Sequence, residues 1–262
     1  NNILKSLVLI AISLVPGLTK AGSYDDFFKA ITLDDARTVS SLLQRGFDPN
    51  TISPKGVHGL FLAIQSDAIK SATVLIQWPK TQVEWRSDKD ESPLMLASIR
   101  GHLDVVKLLI AKDADVNKTG WTPLHYAASG AKAQVISILL DHSAYIDAES
   151  PNKSTPLMMA AMYGSPEAVK VLIQAGADLN IKNQLGLTAL DFAVRGNRQN
   201  AKELIEVGLQ FGDGFPHTGQ AICIEGLLQI AIGQADFVQL ILDLAKGGHP
   251  GLDAGLAAGA IG

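Results

Sequence analysis

A chain of 262 residues, 47% of them hydrophobic, is long enough for a large core or a long repeat array. Its formal charge of −4 comes from lysines and arginines interspersed with carboxylates. With no basic stripe, binding to a nucleic-acid backbone has no footing.

The first 21 residues read as a secretory leader. Lys5 precedes the apolar run Leu7 to Val15, Pro16 and Gly17 break it, and Thr19-Lys20-Ala21 closes it with small residues at the −3 and −1 positions of a cut. Nine apolar residues are too few for a bilayer span, which needs roughly 20. A core helix is the weaker reading, because the run is not amphipathic. The expected cut between Ala21 and Gly22 removes two lysines and leaves a charge of −6.

From Tyr24 onward the chain repeats itself. Gly59-Leu-Phe-Leu-Ala63, Pro93-Leu-Met-Leu-Ala97, Pro123-Leu-His-Tyr-Ala127, Pro156-Leu-Met-Met-Ala160 and Ala189-Leu-Asp-Phe-Ala193 start 34, 30, 33 and 33 residues apart. Each is followed by an aliphatic run: Thr73 to Ile76, Lys107 to Ile110, Ser137 to Leu140, Lys170 to Ile173 and Glu203 to Glu206. Ala114-Asp-Val-Asn117, Ala144-Tyr-Ile-Asp147 and Ala177-Asp-Leu-Asn180 close three units.

The chemistry of each pattern predicts a pair of helices. Ser92, Thr122, Thr155 and Thr188 stand where a hydroxyl caps free backbone N–H groups. Pro123 and Pro156 suit the first helical position, which has no N–H bond to lose. Leu124 and Leu157 follow on the face that the alanines share, and alanine permits a neighbouring hairpin to come close. Gly101 and Gly164 are expected to end first helices with positive φ, as Gly46 and Gly176 end second helices.

Three linked motifs at this period resemble the ankyrin repeat family, and Trp121-Thr-Pro-Leu-His125 matches its signature in full. The resemblance implies an all-α solenoid of stacked helical hairpins joined by short β-turn fingers. Its expected units are an N-terminal capping hairpin over 24–50 and repeats at about 51–86, 87–119, 120–150, 151–183 and 184–207. Asp25, Asp26, Asp34 and Asp35 would give the cap a polar outer face. The resemblance also implies that His125 bridges backbone groups of the turn.

Departures are expected to show. The finger between Asn117 and Trp121 is about three residues short of the period. Asp90 and Lys153 stand where the family has glycine, and Ala131 replaces a helix-ending glycine. Residues 208–246 read either as a degenerate final hairpin or as an unrelated amphipathic helix pair. Gly233-Gln-Ala-Asp-Phe-Val-Gln-Leu-Ile-Leu242 echoes Gly101-His-Leu-Asp-Val-Val-Lys-Leu-Leu-Ile110, and 247–262 is a glycine- and alanine-rich tail expected to be disordered.

Catalytic constellations are not visible in the sequence. His58, His102, His125, His142, His217 and His249 form no ligand cluster, so no metal and no cofactor are expected. Asn117-Lys-Thr119 and Asn152-Lys-Ser154 are glycosylation sequons. The competing reading is an enzyme or redox-sensitive protein with a site around the lone Cys223, against which stands its place in an apolar run.

The resemblance instead implies a non-enzymatic scaffold, secreted or periplasmic. It would bind a partner protein on its concave face, act as a monomer, and touch neither nucleic acid nor the membrane interior after the leader is cut. Carried over residue by residue, the family's variable turn positions are Val57, Glu91, Trp121, Ser154 and Leu187, with Lys55, Lys89, Asn152 and Leu185 beside them. The outward positions of first helices are Gln65, Ile99, Arg100, Ser129, Met162, Tyr163 and Arg195. Glu91, Ile99, Arg100, Trp121, Met162, Tyr163, Leu185, Leu187 and Arg195 are the expected partner-binding set, with Trp121 as central anchor beside Met162 and Tyr163.

Overall fold

The computed structural model describes the backbone of residues 16–212 and the side chains of residues 22–210. Twelve helices occur among them, paired as six hairpins: α1 (Pro16–Thr32) with α2 (Ala36–Gln44), α3 (Gly59–Gln65) with α4 (Ile69–Gln77), α5 (Pro93–Arg100) with α6 (Leu103–Ile110), α7 (Pro123–Ser129) with α8 (Ala133–Asp141), α9 (Pro156–Tyr163) with α10 (Pro166–Gln174), and α11 (Ala189–Arg195) with α12 (Gln199–Gly212). First helices pack on first helices and second helices on second, making two layers. Among the described residues no helix is long and apolar enough to cross a membrane. The expected tail, the echo motif and Cys223 lie outside the described residues, as do residues 1–15 of the expected leader.

From α3 to α11 the helices have only 7–9 residues, too short to persist alone in water. What holds them is one apolar core that runs from Phe27 to Ile205 through every hairpin. Second helices bury adjacent pairs plus one residue a turn later, as in Val105, Val106 and Leu109, or Val135, Ile136 and Leu139. Ala63, Ala97, Ala127 and Ala193 are fully buried and Ala160 nearly so, which lets the first helices approach closely.

Capping follows the expected residues. Ser92, Thr122, Thr155 and Thr188 each accept the N–H three residues on. The side chain at that third position accepts the cap's own N–H in return: Met95 Sδ, His125 Nδ1, Met158 Sδ and Asp191 Oδ2. The non-glycine residues Asp90, Ala131 and Lys153 have φ of 61°, 59° and 60°, so the strain expected at these departures is present in the backbone.

Two expectations are corrected here. Gly164 has φ −78°, ψ −153°, and Pro166, which opens α10, holds Ser165 before it in extended backbone. Glycine serves a different purpose there: a Cβ would lie 2.6 Å from the Ala128 carbonyl oxygen. The capping-hairpin carboxylates also divide. Asp25 and Asp26 are exposed, but Asp35 caps α2 through Thr38, and Asp34 accepts the Ser71 N–H at 2.8 Å. The latter two tie the cap to itself and to the next hairpin, since each faces a free helix-start N–H.

The first helix begins at Pro16, eight residues before the expected hairpin, so its backbone runs through the expected cut. Among its described side chains, those of residues 22–32, Phe27, Ala30 and Ile31 are buried.

Candidate functional site

The fingers are built by a device that the sequence reading missed. Ser53, Ser87, Ser150 and Asn183 each bond by their backbone N–H to the carbonyl four residues on, at Val57, Glu91, Ser154 and Leu187. Their side chains accept the N–H of those same residues. A hydroxyl or amide four residues before each variable turn position was the available signal.

The clipped finger has no such pair, and Lys118 fills the space. It is 7% exposed, its ammonium pairs with Asp90 of the preceding finger, and it donates to the Thr119 carbonyl at 2.9 Å. Beside it Glu84 accepts the Asp115 N–H at 2.8 Å and pairs with Arg86 at 2.6 Å; burial pushes its carboxyl up. Trp85 stacks with His58, centroids 6.0 Å apart, and meets Phe61 edge-to-face at 5.1 Å.

His125 bridges the turn, as the resemblance implied. Its Nδ1 accepts the Thr122 N–H at 3.2 Å, so Nε2 carries the proton that goes to the Ser154 carbonyl at 2.8 Å. Thr122, Pro123, Leu124, His125, Thr155, Pro156 and Leu157 are all buried and form the structural frame of two adjoining units.

Of the expected partner-binding residues, Arg100, Tyr163, Leu185 and Arg195 are exposed, and Glu91, Ile99, Trp121, Met162 and Leu187 are half-buried. Ser154, read as an open turn position, is buried because its carbonyl faces His125. Glu91 is already engaged, accepting the Tyr126 hydroxyl at 3.1 Å; burial first, and that carboxylate next, hold the phenol neutral. Arg100 donates to the Gln65 carbonyl at 2.7 Å, closing the end of α3.

The structure does not bring the set into one patch. The bond from His125 to Ser154 aligns the starts of α7 and α9, and the contact of Gly164 with Ala128 aligns their ends. Eight residues of α9 at 1.5 Å each separate the two levels by about 12 Å. Trp121 therefore lies at the finger level with Glu91, Leu185 and Leu187. Ile99, Arg100, Met162, Tyr163 and Arg195 form a second row at the far ends of the first helices. Trp121 also does not project freely: its ring sets its face edge-to-face with His125, centroids 5.3 Å apart.

The sequons fare unequally. The Asn117 amide donates to the Ser143 carbonyl and accepts the Tyr145 N–H, so its nitrogen is held by the next unit. Asn152 is exposed.

Comparison with known proteins places this architecture. The pattern described as ankyrin repeats, in three copies, matches residues 27–119, 60–150 and 132–213. The Caenorhabditis elegans ankyrin repeat and KH domain-containing protein mask-1 is 37% identical over 121 residues, 44% of this chain and 5% of that protein. The palmitoyltransferase AKR1 of Lachancea kluyveri is 30% identical over 175 residues, 49% of this chain and 24% of that protein. The chicken nuclear factor NF-kappa-B p105 subunit is 29% identical over 161 residues, 59% of this chain and 16% of that protein. This chain thus corresponds to a quarter or less of the length of each. With the repeat pattern covering most of its residues, and with the capped hairpins and fingers that pattern requires, the chain belongs to the ankyrin repeat family.

Proposed function

We propose that this chain is an exported, non-enzymatic scaffold that binds a partner protein across the first-helix layer. The observation that carries the binding reading is the row of Ile99, Arg100, Met162, Tyr163 and Arg195, in which Tyr163 is 52% exposed on a rigid helix end. Aromatic and arginine side chains dominate interface energetics, and an aromatic anchor on a packed scaffold loses little entropy on binding. The finger row with Trp121 is the second contact level.

With the partner captured from the source's exported fraction, Tyr163→Ala is expected to weaken binding by about 2 kcal/mol or more while leaving thermal unfolding unchanged. Trp121→Ala is expected to lower both affinity and stability, because its ring packs on His125. Unaltered affinity in both variants would remove the basis of this reading.

Export rests on the leader pattern. Amino-terminal sequencing of secreted protein is expected to begin at Gly22, and a mature protein that keeps residues 1–21 would refute it. The cut leaves Phe27, Ala30 and Ile31, the buried side chains among those described in α1, in place.

A further inference from the structure

Each first helix leaves one stripe partly uncovered, and the stripes line up across the stack. Leu62, Leu96, Tyr126, Met159 and Phe192 hold the same register of α3, α5, α7, α9 and α11, and all are half-buried. In the first four, both chain neighbours are buried. Ile99 and Arg100 follow Leu96 by three and four residues, as Met162 and Tyr163 follow Met159. That spacing puts the apolar ladder on the same helix face as the binding row. The Tyr126 hydroxyl donates to Glu91, so the ladder also reaches the finger level.

Beyond the ladder the charge is of one sign. From α5 onward the turns between first and second helices are residues 99–102, 129–132, 162–165 and 194–198. They hold Arg100, Lys132, Arg195 and Arg198 and no carboxylate, in a chain of net charge −4. Asp67 of the preceding turn is taken up by His102 at 2.8 Å. Among the described residues no ion pair engages the four cations. Their placement is fixed by the stack. Arg100 donates to the Gln65 carbonyl, Arg198 donates to the Met162 and Tyr163 carbonyls, and the Lys132 stem lies over Gly101. A guanidinium has five N–H donors, so each arginine keeps donors for a carboxylate.

We propose that the partner contributes an acidic, extended segment with an apolar side chain at every third residue. The apolar side chains seat on the ladder and the carboxylates meet the four cations. The spacing follows from the stack: packed helices lie about 8–10 Å apart. An extended polyproline-II chain returns to the same face every third residue, at about 9.3 Å. A β-strand does so at about 6.6 Å and misses the rungs. Like charges along an acidic segment keep it extended. The proposal rests on the binding reading above and adds the chemistry of what is bound.

Fluorescence anisotropy on the full chain tests this with labelled 15-residue probes made of five Leu-Glu-Thr or five Leu-Lys-Thr units. Wild type is expected to bind the acidic probe saturably and at least about tenfold more tightly than the lysine probe. Lys132→Glu/Arg198→Glu is expected to reverse that preference. Both positions precede a second helix, where a carboxylate suits the helix start, and binding of the lysine probe shows that the variant is folded. Equal affinity for both probes, or for an acidic probe with its leucines gathered at one end, would overturn the proposal. So would a wild-type dimer in sedimentation that the double variant dissociates, which gives the face to a second copy. If the acidic probe fails to bind while Tyr163→Ala still weakens the captured partner, the chemistry falls and the binding reading stands. If Tyr163→Ala alters neither, both fall.

Discussion

Leu157→Ala is expected to destabilise the protein by roughly 2–5 kcal/mol, through lost burial and the cavity left behind. Leu157 is fully buried on α9, which packs against α7 on one side and α11 on the other. None of these short helices holds itself together, so weakening one weakens the cover of both neighbours. Fully buried Leu124 stands at the same position one unit earlier and is expected to respond alike. Lys112→Ala, at an exposed site after α6, is expected to stay within about 0.5 kcal/mol of wild type. Urea unfolding of the three variants measures this. A loss below about 1 kcal/mol at Leu157 would mean that the stack closes over the gap, contrary to rigid inter-hairpin packing.

Acid is expected to unfold the array from two buried histidines. Burial pushes the imidazoles of His58 and His125 down to about 4, from 6.5. The folded state therefore prefers both neutral, and the unfolded chain binds protons first as pH falls. That stability is fully present above about pH 6.5 and drains away between 6.5 and 4, on the order of 3 kcal/mol for each histidine. The geometry agrees: a proton on Nδ1 of His125 would face the Thr122 N–H, and one on Nδ1 of His58 would face the Leu60 N–H. Burial raises the carboxyls of Glu84 and Asp147, which acts in the opposite sense nearer their own range. Thermal unfolding at pH 7.5 and 5 is expected to show a clear fall in midpoint, and His58→Gln, which cannot titrate there, a smaller one. An equal fall in the variant would take His58 out of the account.

Much of this was legible in the residues because it depends on spacing within one unit. A hydroxyl before a helix start finds the N–H three residues on wherever the helix forms, so Ser92, Thr122, Thr155 and Thr188 could be assigned as caps without a structure. The period located the fingers, and missing glycines at Asp90 and Lys153 announced positive φ. The three-residue deficit announced the clipped finger, but not that Lys118 would be buried in it, because Asp90 reaches it from the neighbouring unit.

Contacts across units were the ones that sequence alone left open. Gly164 ends its helix as expected but without positive φ, and a Cβ there is excluded by the carbonyl of Ala128, on another helix. The expected partner surface included Tyr163, which is exposed, but it joined Trp121 to a row about 12 Å away along the helices. Side-chain type determined which positions would be caps, core and turns. Which positions face solvent, and which lie together, was decided only by stacking, because a residue's cover comes from atoms roughly 30 positions away.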